Sequence, residues 1–194
     1  MARALEFNYA DALERATRAF WRTGYVNTSL RDLLKAMGIG EGSFYNTMKS
    51  KKNAYIECLK HYDATVNLRR VEAFASAPTA ALGVRAFFQT IFDCLDDPEA
   101  PRVCLTASSL SPDVLAEPEL RRYIEEQVAG WAEQMAERFA AEKERGLLPE
   151  SFDPEVVAPI IVTYVQGLWR IALVSYDRRR LQAQAETFLT ALGL

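Results

Sequence analysis

The sequence predicts an all-α protein, a small N-terminal helical head carried on a larger helical body. Three observations point there. Apolar residues recur at three- and four-residue spacing along nearly the whole chain, and no segment of useful length alternates with period two. Nine glycines and eight prolines in 194 residues are few, which favours long helices over hairpins. Hydrophobic residues make up 49% and charged residues 25%, a globular balance that excludes wholesale disorder.

The first helix is predicted from about Tyr9 to Thr23. Asn8 is its cap, Asp11 lies in the first turn, and Leu13, Ala16 and Phe20 form the apolar face. Gly24 stops it. A second helix begins at Thr28, read as its cap, and carries Leu30, Leu33, Leu34 and Met37 to Gly38-Ile39-Gly40. A short third helix spans about Glu41 to Met48, with Phe44 and Met48 inward. Ser50 caps a long fourth helix running through Tyr55, Leu59, Tyr62, Val66 and Leu68 to about Ala75. Beyond Pro78, helices are expected at Ala80 to Leu95, Val103 to Leu110 and Pro118 to Arg145. Two more run from Asp153-Pro154 to about Ser175, and from Arg178 to Leu192. Ser111-Pro112 reads as a stop.

Composition removes several function classes. Cys58, Cys94 and Cys104 have no metal-type spacing, so a disulfide framework or structural zinc is not expected. The single His61 cannot build a histidine-based triad or metal site, so no enzyme and no cofactor are expected. The apolar run Val156 to Trp169 falls short of a membrane span, and the N-terminus lacks a leader-like apolar core. A cytoplasmic location is the expectation. The net charge of −3 hides an asymmetry. Residues 1–60 carry ten Lys+Arg against six Asp+Glu, whereas residues 61–194 carry 13 against 20. Five of the six lysines lie between Lys35 and Lys60. A basic head on an acidic body suits a modular binder of polyanions.

Two short helices joined by a glycine turn, behind a supporting first helix, make a helix-turn-helix. The following helix must be short and outwardly polar to enter a major groove. Ser43, Tyr45, Asn46 and Thr47 answer that need, being spared from the Phe44/Met48 face. Lys49, Lys51 and Lys52 cluster where the next helix begins. Cations oppose the helix dipole there, but phosphate would collect both the lysines and the free amides.

The stretches Phe20-Trp21-Arg22-Thr23-Gly24-Tyr25-Val26-Asn27-Thr28-Ser29-Leu30-Arg31-Asp32-Leu33 and Met37-Gly38-Ile39-Gly40-Glu41-Gly42-Ser43-Phe44-Tyr45-Asn46-Thr47-Met48-Lys49-Ser50-Lys51 resemble the TetR/AcrR family of bacterial regulators. The likeness covers residues 8 to about 60. Arg102-Val103-Cys104-Leu105 and Asp153-Pro154 through Gln166-Gly167-Leu168 resemble one subgroup more weakly. The resemblance implies a homodimeric repressor, with DNA-binding heads on a ligand-binding, dimerising body. A ligand in the body would change the spacing of the heads and release operator DNA. It also implies phosphate contacts from Thr28, Tyr45 and Lys51, with Glu41, Gly42, Ser43 and Thr47 facing bases or the adjoining backbone. With Ser29, Asn46 and Lys49, these form the predicted DNA-binding set. Gly40 and Glu41 depart from the family's usual cap and basic residue, and Met48 replaces its usual phenylalanine.

The predicted division is residues 1–52 for the helix-turn-helix domain and 53–194 for the ligand-binding and dimerisation domain. Phe88, Phe92, Cys104, Trp131, Tyr164 and Trp169 are the candidate lining of an apolar or amphipathic effector site. The last two helices are apolar on more than one face. Ile161, Val165, Leu168, Leu181 and Phe188 are therefore expected at a twofold interface. The function expected is a ligand-released repressor. The alternatives are a constitutive or activating DNA-binding regulator, or a thiol-based sensor of oxidants or electrophiles through Cys104.

Overall fold

The computed structural model describes residues 8–194, and all regular structure among them is helical. The segment read as lacking a leader starts in residues 1–7, outside the described range. α1 (Tyr9–Asn27) begins at Asn8, whose side-chain oxygen accepts the amides of Ala10 and Asp11. Two otherwise unpaired N–H groups are satisfied this way. Gly24 breaks the rod with φ +78° and ψ 170°, so the straight part ends where the sequence places it.

α2 (Leu30–Met37) corrects the predicted cap. Ser29, not Thr28, caps it: Ser29 Oγ accepts the Asp32 amide at 3.2 Å, and the Asp32 carboxylate accepts the Ser29 amide at 3.1 Å. Gly38, with φ +71°, ends the helix. α3 (Glu41–Met48) follows at about its predicted bounds. Eight residues are too few for a helix to persist alone in water. Phe44 and Met48, both fully buried, fasten it at about 1.5–3 kcal/mol each. Around them lie the rest of the head core, including Phe20 edge-on to Tyr55 at 4.8 Å.

The single long fourth helix is instead three pieces of one rod. α4 (Lys51–Tyr62) passes through a π-helical turn, Asp63–Asn67, into α5 (Leu68–Ser76). Ala54, Tyr55, Cys58 and Leu59 of α4 are buried in the one cluster that runs from α1 through to the last helix.

The body is α6 (Ala80–Asp96), two one-turn helices α7 (Leu105–Ser108) and α8 (Pro112–Leu115), α9 (Pro118–Glu144), α10 (Pro154–Val174) and α11 (Arg178–Ala191). Ser111-Pro112 starts α8 rather than ending a helix, with Ser111 as cap and proline at the first position. α5 lies so close to α6 that a Cβ on Gly83 would sit 2.5 Å from the Phe74 carbonyl oxygen. Buried Glu142 of α9 accepts the Ala80 amide at 2.7 Å, a carboxylate at the positive end of α6. α10 corrects one expectation: an 18-residue window within its 21 residues reaches a mean hydropathy of 1.6, so the helix is long and apolar enough for a span by length and composition. Its inward row, Val157, Ile161, Val165, Leu168 and Trp169, is spent on the body core.

Candidate nucleic-acid interface and ligand cavities

α3 presents Glu41, Gly42, Ser43, Tyr45 and Asn46 to solvent, with Thr47 half-buried. Tyr45 is 46% exposed, and its ring stands edge-on to Phe44 at 5.6 Å. The buried neighbour thereby orients an exposed phenol. Gly40 gives α3 no side-chain cap, so the first-turn carboxylate of Glu41 meets the helix's positive end. Lys49 closes the helix in the left-handed region, φ +65°, and its Nζ donates to the Asn46 carbonyl at 2.7 Å.

Ser50 caps α4 by accepting the Asn53 amide at 3.0 Å. Lys51 Nζ lies 4.7 Å from the centre of the Tyr25 ring and 3.4 Å from the Val26 carbonyl oxygen. Partial burial lowers its pKa. Lys52 leaves the cluster, pairing with Glu117 at 3.7 Å and Glu119 at 3.2 Å beside the start of α9. Of the three clustered lysines, Lys49 and Lys51 remain at the C-terminal end of α3. Thr28 is 1% exposed, with its hydroxyl donating to the Gly24 carbonyl at 2.6 Å and lying 2.5 Å from the Thr23 hydroxyl, from which it can accept. A side chain spent inward cannot take phosphate, so the contact expected of Thr28 is withdrawn. Exposed Ser29 keeps its hydroxyl on Asp32 at 2.6 Å.

The aromatic cavity expected in the body is filled. Phe88 and Phe92 are buried, Phe88 stands edge-on to Tyr164 at 5.8 Å, and Tyr164 stacks on Phe188 at 4.0 Å. Trp131, Trp169 and Cys104 line a hollow of about 10 Å³, room for one water. These side chains satisfy one another, and that is why they line no ligand-sized space.

Two ligand-sized spaces lie elsewhere. A groove of about 560 Å³ between α9 and α10 is walled by Leu115, Ile124, Val128, Ala132, Pro159 and Val162. A cleft of about 660 Å³ separates α1 from α4–α6 and the loop at 97–101, with Trp21, Tyr62, Val66, Arg70, Cys94 and Pro101 among its walls. Arg70, 4% exposed, is the residue the sequence reading missed. Its Nη1 donates to Asn67 Oδ1 and to the Tyr62 hydroxyl at 3.3 Å, and lies 3.9 Å from Cys104 Sγ. Its Nη2 is buried without a partner. Burial pushes the Tyr62 phenol and the Cys94 thiol up, so both stay neutral at pH 7. The signal was present: Tyr62, Val66, Arg70 and Phe74 form one four-spaced row, apolar except for the arginine.

The expected interface residues also need correction. Ile161, Val165, Leu168 and Leu181 are buried within the protomer, and Phe188 is half-covered by Tyr164. The apolar surface that α10 exposes is Val156, Ile160, Ile171, Leu173 and Val174.

Residues 81–188 match the model of the tetracyclin repressor-like C-terminal domain. The uncharacterized HTH-type transcriptional regulator YezE of Bacillus subtilis (strain 168) is 31% identical over 193 residues, covering 99% of this chain and 100% of the relative. The HTH-type transcriptional repressor ComR of Escherichia coli (strain K12) is 24% identical over 167 residues, covering 84% of this chain and 78% of ComR. Among solved structures, a cysteine mutant of the regulator CifR complexed with 26 bp of double-strand operator DNA superposes with a TM-score of 0.87. It is 30% identical, covering 97% of this chain and 99% of that one.

Proposed function

The chain belongs to the TetR family of transcriptional regulators, and from that premise we propose that it is a homodimeric repressor released from its operator by a small apolar or amphipathic molecule. Members of this family bind DNA and are not enzymes. One observation carries the reading for this chain: α3 buries Phe44 and Met48 and leaves Ser43, Tyr45 and Asn46 exposed, with Lys49 and Lys51 following at its C-terminal end. Each protomer places α3 in a major groove, with Ser43, Thr47 and Glu41 toward base edges, Gly42 allowing close approach, and Tyr45, Lys49 and Lys51 on phosphates. Half-sites one or more helical turns apart then match the dimer's twofold axis.

The outward row of α10, Val156, Ile160, Ile171 and Val174, supports the dimer. Thr163 and Gly167 lie on the same exposed face, small enough for a partner helix to approach closely. Ligand shifts the equilibrium only if it prefers the head spacing that no longer fits the operator.

Fluorescence anisotropy on DNA flanking the gene checks this. Binding should weaken with salt, and Lys51→Ala should lower the salt slope by about 0.9 for each protomer. Tyr45→Ala with Lys51→Ala should abolish binding at near-physiological salt while leaving the thermal midpoint almost unchanged. Retained binding in that double variant refutes the interface.

A thiol-sensing second reading is favoured by the approach of Arg70 to Cys104 and opposed by the burial of Cys104. Alkylation of the native protein followed by mass spectrometry decides it, because a sensing thiol must outpace an ordinary free one.

A further inference from the structure

Arg70 carries a full positive charge at neutral pH, because a guanidinium is not deprotonated in proteins. Burying such a charge without a carboxylate is costly, and breaking into its partners' places leaves the charge uncompensated. Among the described residues none supplies a direct ion pair. Asp63 reaches it only through Asn67, whose Nδ2 donates to Asp63 Oδ1 at 2.5 Å. The Tyr62 hydroxyl lies at 3.3 Å and Cys104 Sγ at 3.9 Å, and neither is a carboxylate. Nη2 bonds to nothing.

The cleft that Arg70 helps to wall has acids as well as bases, but the acids are spent or peripheral. Glu14 is held by Arg18 at 2.6 Å and His61 at 2.8 Å, and Asp93 is held by Arg178 at 2.9 Å. Asp97 and Glu99 lie on the exposed rim. Arg22 and Arg69, both wall residues, are exposed and in no ion pair among the described residues. Four arginines face four acids around the wall, so the case for an incoming anion rests on buried Arg70, which has no carboxylate of its own. A volume of about 660 Å³ is far more than an inorganic ion fills, and Trp21, Val66 and Pro101 give it apolar wall.

From this we infer that the cleft between α1 and the body is the effector site, and that its effector is an organic carboxylate whose acid group pairs with Arg70 once the side chains covering Nη2 part, while its hydrophobic part lies against Trp21, Val66 and Pro101. This rests on the effector reading above and deepens it. The position suits a signal. One wall belongs to the head, and the Trp21 indole N–H donates to the Val103 carbonyl, next to Cys104. A molecule wedged there bears on α1 and on the body at once, so the position of the head answers to its presence.

The test uses the intact chain, calorimetry and thermal shift. The probes are benzoate, naphthoate and octanoate, their neutral amides, and inorganic phosphate, all at millimolar concentration and constant ionic strength. At least one carboxylate should bind and raise the thermal midpoint, its amide should bind about tenfold more weakly or worse, and phosphate should give no shift. Arg70→Met should lose that preference by a similar factor, because methionine keeps the apolar stem and drops the charge. Val66→Glu, which retains Arg70 and places a carboxylate one turn away, should compete internally and block the same ligand. The assignment is overturned by carboxylates binding Arg70→Met and Val66→Glu as tightly as wild type. Equal binding of acids and amides, phosphate matching the organic acids, or no carboxylate binding at all overturns it too. Operator release measured in parallel separates the two claims. Arg70-dependent carboxylate binding without release upholds this site and removes the inducer role. Release by a neutral compound indifferent to Arg70→Met keeps the inducer role and ends this site.

Discussion

Lys49 holds φ +65° although it carries a Cβ, a conformation that costs an ordinary L-residue about 1–2 kcal/mol. The strain sits where α3 must stop abruptly so that α4 can begin two residues later. Lys49→Gly should raise stability to denaturant by about 0.5–1 kcal/mol, by removing the Cβ penalty, while weakening operator binding. A variant that gains stability and keeps full affinity would take Lys49 off the phosphate backbone. At this scale the sequence was readable wherever a residue's job is local. Phe44 and Met48 stand out because an eight-residue helix has few apolar positions to spend. Ser29 could also have been read, since Asp32 follows it by three, the spacing of a capping box. Arg70 was marked only by its place in an otherwise apolar row: Asn67 and Tyr62 lie on the same rod, whereas Cys104 reaches it only through the tertiary fold.

At the scale of elements, α2 gives a pH-dependent test. Hydrogen bonds from the Ser29 hydroxyl and amide hold the Asp32 carboxyl below its ordinary range. A carboxyl whose folded-state pKa is depressed stabilises the fold above its unfolded pKa and loses that contribution as pH falls through the lower folded value. Ser29→Ala should therefore lower the denaturant midpoint at neutral pH. The deficit should narrow below about pH 4, where the carboxyl gains its proton. A deficit independent of pH would show that the cap works without the charge. Most helix ends fell within a few residues of their sequence positions because caps, prolines and glycines mark them. The π turn left no such mark. Tyr62, Val66, Arg70 and Phe74 keep four-residue spacing through it, so the apolar row looks like that of an unbroken helix.

For the whole molecule, the decisive surface is α10. Val174 is 85% exposed, and it shares the outward face with Val156, Ile160 and Ile171, an apolar strip that water would not favour. Ile160→Glu should give a folded monomer by light scattering, with helical content retained and operator affinity greatly reduced. A variant that remains dimeric would move the interface off this strip. Cavities were the least legible feature, because a cavity is where distant elements fail to meet and no local pattern encodes that. The aromatic residues of the body filled its core, and ligand-sized spaces opened instead between α1 and the rod and between α9 and α10. The wide turn at Asp63–Asn67 also fixes azimuth. A turn with one extra residue sets everything beyond it back by about 100° relative to a regular α-helix. Arg70 follows three residues later, so its inward bearing is a matter of phase: the same side chain on an evenly wound rod would point about a quarter-circle away.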